Sequence, residues 1–127
     1  MNTQITKDFN LSEFHCRDGT KVPEIYICNV IELIQNLQKL RDKLRFPIHV
    51  NSGYRSPDYN SKIGGVKSSQ HLFAKAADIT CRDYTPNEIA NIIEAMIAAG
   101  ELKEGGVGRY KGFTHYDIRG TRARWKG

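Results

Sequence analysis

Between residues 27 and 44 the aliphatic side chains of this chain recur at three- and four-residue steps: Ile27, Val30, Ile31, Ile34, Leu37, Leu40 and Leu44. That spacing puts them on one stripe of an α-helix, and a helix with a single apolar stripe needs another surface to cover it. The pattern predicts a core-packing helix over residues 23–45, with Pro23 in its first turn and Phe46-Pro47 as its stop. A second stripe, Ile89, Ile92, Ile93, Met96 and Ile97, follows Thr85-Pro86-Asn87-Glu88, which has the spacing of a capping box, and Gly100 closes it. Both stripes read as core.

The stretches around these helices are short and strand-like. Ile48-His49-Val50-Asn51 reads as a strand leading into Gly53, and Ser56-Pro57 as a cap and first residue of a brief helix over Pro57–Lys62. Gly64-Gly65 opens a polar loop carrying Ser68, Ser69 and His71. Ala76–Cys81 alternates faces, with Ala76, Asp78 and Thr80 on one and Ala77, Ile79 and Cys81 on the other. Residues 106–119 read as a hairpin turning at Lys111-Gly112, with Phe113, His115, Asp117 and Arg119 on one side of its second strand. The opening segment through Thr20 reads as polar loop with a short turn at Leu11–Phe14. Strands and helices mix without regular alternation, which favours an α+β fold with a small, mostly antiparallel sheet flanked by two main helices.

With 127 residues, 39% of them hydrophobic, the chain can build one real core, and a single domain over residues 1–127 is expected. No repeat or linker-like tract divides it. The formal charge of +5 suits an anionic partner without choosing among wall polymer, nucleic acid and peptide carboxylate. Cys16, Cys28 and Cys81, an odd number without short spacing, argue against a disulfide framework and a cysteine-rich zinc module. No stretch approaches the ~20 apolar residues of a membrane span. MNTQITKDFN lacks the apolar centre of a signal peptide. The expectation is a soluble monomer made in a reducing cytoplasm, without membrane or nucleic-acid partners, reaching any outside target by another route.

Three side chains stand out for chemistry: His71, Asp78 and His115. Two imidazoles and a carboxylate are a normal ligand set for catalytic zinc, leaving a fourth position for water. Seven residues of strand span roughly 23 Å and seven of helix rise about 10 Å, so neither lets His71 and Asp78 share one ion. The chain must fold back between them, with His71 on a loop and Asp78 on the following strand. His115 and Asp117, two apart on a strand, share a face, which places Asp117 near the bound water. Spacing alone leaves other readings open: hydrogen-bonded histidines, a surface Asp78, and an Asp117–Arg119 ion pair.

Ser52-Gly53-Tyr54-Arg55, Gly64-Gly65, Ser69-Gln70-His71, Ala76-Ala77-Asp78 and His115-Tyr116-Asp117-Ile118-Arg119 stand in that order. Together they resemble the zinc D-alanyl-D-alanine carboxypeptidases, a family that also holds vancomycin-resistance dipeptidases and many phage endolysins. The chain most resembles the short, single-domain branch often found in phage genomes. The resemblance implies a hedgehog/DD-peptidase-like fold and Zn2+ held by His71, Asp78 and His115. It implies Arg55 as the cation that steadies the oxyanion, Ser69, Arg55 and Tyr54 as substrate contacts, and a peptidoglycan stem peptide as substrate. The implied reaction is hydrolysis of a peptide bond at a D-amino acid, by a carboxypeptidase or an endolysin-type endopeptidase, acting on the wall after release or within a phage particle.

The chain departs from the family text at three places. Ala74 stands where relatives carry Gly, which would be strained by about 1 kcal/mol if the position needs positive φ. Gly112 stands where several relatives carry a glutamate base, which leaves Asp117 as the expected proton acceptor. His15-Cys16 replaces a cysteine cluster, so no second metal site is expected. The missing glutamate and Ala74 argue for an alternative, a non-catalytic wall-binding or structural module on the same fold, while the intact ligand set argues against it. A nucleic-acid role would rest only on charge and on Trp125 near Arg122 and Arg124, with no recognition motif behind it.

Overall fold

Helix α1 (Ile27–Leu44) buries Val30, Ile34, Leu37, Leu40 and Leu44, as its periodicity requires, together with Leu33, so the buried face is wider than the stripe. The computed structural model describes residues 3–127, so the first two residues of the opening segment lie outside the described ones. Pro23 does not join the first turn: its backbone is extended (φ −61°, ψ 148°), and it caps a 3-10 turn at Glu24–Tyr26 that runs into α1. The helix ends at Arg45, left-handed at φ 67°, before Phe46-Pro47 can clash with another turn.

Helix α2 (Pro57–Lys62) starts as expected, with the Ser56 hydroxyl accepting the Tyr59 N–H at 3.2 Å. Helix α3 (Pro86–Ala98) carries the full capping box. Glu88 N–H donates to Thr85 Oγ1 at 3.1 Å, and Thr85 N–H donates to Glu88 Oε1 at 2.8 Å. Gly100 follows with φ 75°, a conformation that favours glycine.

Two short strands, β1 (Gln4–Thr6) and β2 (Phe9–Asn10), pair with each other in the segment expected to be loop. The main sheet has the order β3-β4-β6-β5-β7: β3 (Ile48–Ser52), β4 (Ala76–Cys81), β5 (Gly106–Arg109), β6 (Thr114–Asp117) and β7 (Ala123–Lys126). Every pairing is antiparallel except β5 with β7. The hairpin of β5 and β6 turns at residues 110–113, where Tyr110 N–H donates to the Phe113 carbonyl at 3.2 Å. The fold is therefore α+β with a mostly antiparallel sheet. β7 was not legible as a strand: Ala-Arg-Trp-Lys shows no alternation of burial.

One sheet face, with Val50, Ala77, Ile79, Val107 and Tyr116, packs into the same core as the buried residues of α1 and α3. The alternate residues of β4 and β6, Asp78, His115 and Asp117, are buried on the other face. Polar side chains sealed from water must find partners or an ion. No helix among the described residues is long and apolar enough to cross a membrane.

Candidate metal centre

Sheet register brings two of the candidate ligands together. Asp78 and His115 are direct cross-strand partners of β4 and β6, a position where side chains of one face meet. His71 arrives from a 3-10 turn, Gln70–Phe73, just before β4. Between them Ala74 takes the left-handed conformation (φ 58°, ψ 32°), which turns the chain back as the spacing demands. The loop keeps that shape with a buried alanine, and its N–H is tied to the Gln70 and His71 carbonyls.

Asp78 Oδ1 lies 3.2 Å from His71 Nε2 and 3.1 Å from His115 Nδ1. One ligand atom from each residue fits within 4.8 Å of the others, and all three residues are buried. The outer nitrogens of both rings are committed elsewhere. His71 Nδ1 is 2.7 Å from the Gly53 carbonyl, which can only accept, so this nitrogen carries the proton. A neutral His71 then turns the lone pair of Nε2 toward the Asp78 carboxylate. His115 Nε2 meets Asp117 Oδ2 at 2.7 Å, which leaves Nδ1 for the site.

Burial pushes the His71 imidazole below its ordinary pKa despite the pull of Asp78. Burial acts the same way on His115, but hydrogen bonds to Asp117 and Asp78 outweigh it and hold its pKa above the ordinary value. Burial would raise Asp78, yet the interactions opposing it, led by the hydrogen bond from His115, keep the carboxyl well below the usual carboxylate range. The centre thus combines an ionised carboxylate, a neutral imidazole and a second imidazole that must lose a proton to bind metal. Two nitrogens and one oxygen with this convergence fit zinc, and carboxylate–histidine contacts of this kind commonly orient metal ligands.

The Ser52-Gly53-Tyr54-Arg55 segment grips the centre. The Gly53 carbonyl holds His71 Nδ1, and Arg55 N–H donates to the His71 carbonyl at 3.0 Å. The Arg55 guanidinium donates to Asp78 Oδ2 at 3.0 Å, Ser52 Oγ at 3.2 Å and Asn60 Oδ1 at 3.4 Å. A guanidinium has five N–H donors, so two remain. Arg55 and Ser69 both line the cleft above the centre, and the Ser69 hydroxyl accepts the His71 N–H at 3.2 Å.

Two of the expected site residues are buried away from the cleft. Tyr54 is not among the cleft-lining residues: it is 5% exposed and packs near Tyr26 in the core. Asp117 is fully buried behind His115 and not beside the open corner of the centre. Its carboxylate is taken up by His115, by the Gly106 N–H at 2.8 Å and by the Arg119 guanidinium at 2.7 and 2.9 Å. Both of its oxygens are thus engaged within the fold.

The cleft, of about 530 Å³, has walls that sequence reasoning did not assign. Ile63 and Val66 form exposed apolar parts of one wall, and Tyr110, Phe113 and Trp125 belong to the lining as well. Tyr110 and Phe113 stack at 4.3 Å, and the Trp125 ring lies 4.8 Å from that of His115. Trp125 drew notice beside two arginines, but nothing local in the sequence signals that β7 brings it back to His115. The three cysteines are free and take no part in the centre.

A buried His-Asp-His set at the floor of a cleft, on an α+β scaffold, marks a metallopeptidase class. Residues 5–117 match peptidase M15, and the chain belongs to that family. It is also similar to a zinc D-Ala-D-Ala carboxypeptidase of Streptomyces albus G, 38% identical over 52 residues. That match covers 40% of this chain and only 20% of the length of the Streptomyces enzyme.

Proposed function

We propose that the protein is a zinc-dependent peptidoglycan peptidase that hydrolyses a peptide bond at a D-amino acid. It would act as a D-Ala-D-Ala carboxypeptidase or as an endolysin-type endopeptidase, reaching the wall after release or within a phage particle. The observation that carries this reading is the convergence of His71, Asp78 and His115 on one point beneath a cleft that Arg55 also lines. These three residues would hold zinc, which when bound supplies Lewis acidity toward a carbonyl and acidifies water.

The chain's own residues do the rest. Arg55, anchored by Asp78, Ser52 and Asn60, keeps two N–H donors for the charge that develops on the scissile carbonyl oxygen. A guanidinium fixed before the reaction needs no reorganisation in the transition state. Ser69 borders the cleft next to His71 and is a substrate contact in this reading. The net charge of +5 favours approach to anionic wall polymer.

One observation favours a second reading, a wall-binding module that no longer cleaves. Asp78 is the only carboxylate among the described residues lining the cleft, and it is already a ligand candidate. Purified protein incubated with muropeptides, with and without chelator, separates the two readings. Chelator-sensitive products seen by mass spectrometry support the peptidase, and their mass assigns the bond. Binding without products supports the module.

A further inference from the structure

Asp117, Arg119 and Trp125 form a closed arrangement around His115. Asp117 Oδ2 takes the outer nitrogen of His115, and Asp117 Oδ1 accepts from the Gly106 and Arg119 N–H groups at 2.8 and 3.1 Å. The Arg119 guanidinium grips both carboxylate oxygens and lies 5.4 Å from the centre of the Trp125 ring. The indole in turn packs against the His115 ring and donates from Nε1 to the Tyr110 hydroxyl at 2.8 Å. Backbone room for this is reserved. A Cβ on Gly106 would stand 2.9 Å from Arg119 Nη2, and one on Gly108 would stand 2.6 Å from the indole.

We infer that Asp117, Arg119 and Trp125 are positioning residues that lock the His115 ring with Nε2–H on Asp117 and Nδ1 presented to the metal. An imidazole can offer either nitrogen, and the partner of one decides the availability of the other. The carboxylate sets the tautomer, Arg119 fixes the carboxylate, and the indole blocks rotation of the ring about its own axis. β7, pairing in parallel with β5, thereby serves the centre without supplying a ligand. The inference rests on the proposed zinc centre.

The test uses the full chain stripped of metal, as wild type and as Asp117→Asn, Arg119→Lys and Trp125→Phe. Zinc affinity is read by competition with a chromophoric chelator, and the protonation of each His115 nitrogen by long-range 1H–15N correlation. Wild type reloaded with zinc is expected to show Nε2–H and metal-bound Nδ1 at His115. Asp117→Asn is expected to bind zinc about 10- to 100-fold more weakly and to lose the single tautomer. Arg119→Lys keeps the charge but not the two-point grip, and Trp125→Phe keeps an aromatic face; both are expected to lose less. Should Asp117→Asn fail to fold, these two carry the test. Variants that match wild type in affinity and tautomer overturn the inference while leaving the zinc centre intact. A wild type that binds no zinc overturns both.

Discussion

Gly53→Ala tests whether the Ser-Gly-Tyr-Arg segment is a supporting part of the centre. A Cβ there would stand 2.8 Å from Phe14 Cα and 3.0 Å from the Phe14 carbonyl oxygen, where ordinary contact begins near 3.4 Å. The two segments must separate by roughly 0.6 Å to relieve that contact. Neither yields easily: Phe14 is fully buried, and its carbonyl accepts the Tyr54 N–H at 2.9 Å right beside the clash. Overpacking of this kind costs about 1–3 kcal/mol, offset by about 0.4–1 kcal/mol because alanine is less free than glycine in the unfolded chain. The net loss is then about 1–2 kcal/mol, or a fall in Tm of roughly 4–8 °C for a chain of this size. The same displacement moves the carbonyl that holds His71 Nδ1, so zinc affinity should fall about 10-fold. Calorimetry on the metal-free protein and chelator competition read the two effects separately. Gly112→Ala is the control, since a Cβ there meets nothing within 4 Å. A Gly53→Ala protein that melts with wild type and binds zinc equally well would refute the reasoning.

Other parts of the account are equally open to test. Thr85→Ala removes the hydroxyl that accepts the Glu88 N–H, and denaturant titration should show a loss of about 1 kcal/mol; an unchanged midpoint would deny the cap its role. Asp18 is held well below the carboxylate range by the Thr20 N–H and the Ser56 hydroxyl. A depressed folded pKa stabilises above the unfolded value of 3.8, and that contribution fades as the pH falls below it. Asp18→Asn should therefore melt below wild type at pH 7, with the gap narrowing at pH 3. A gap of constant size would show that the charge is not what stabilises this turn.

How much could be read from the chain depended on how local each signal is. The helices α1, α2 and α3 carry their own instructions in apolar periodicity, Ser56-Pro57 and the Thr85–Glu88 box, and the alternating strand β4 does likewise. Strands β1, β2 and β7 are two to four residues long and draw their definition from partners distant in sequence. His71, Asp78 and His115 meet by sheet register and by the left-handed turn at Ala74, which no local pattern shows, so only the five ordered motifs grouped them as a candidate ligand set. The motif view did not show that the Tyr54 side chain turns into the core while its neighbours Gly53 and Arg55 contact His71 and Asp78. Nor did it show how Asp117 is engaged. Two-residue spacing on β6 correctly puts that carboxylate on the face of His115, but it does not reveal which imidazole nitrogen the carboxylate meets.

X-ray absorption at the zinc edge of the loaded wild-type protein tests the central claim most directly. The proposed centre predicts one zinc per chain with a shell of nitrogen and oxygen at about 2.0–2.2 Å, showing the outer-shell scattering of two imidazole rings and no sulfur. A sulfur shell near 2.3 Å, or a chain that retains no stoichiometric zinc, would contradict it.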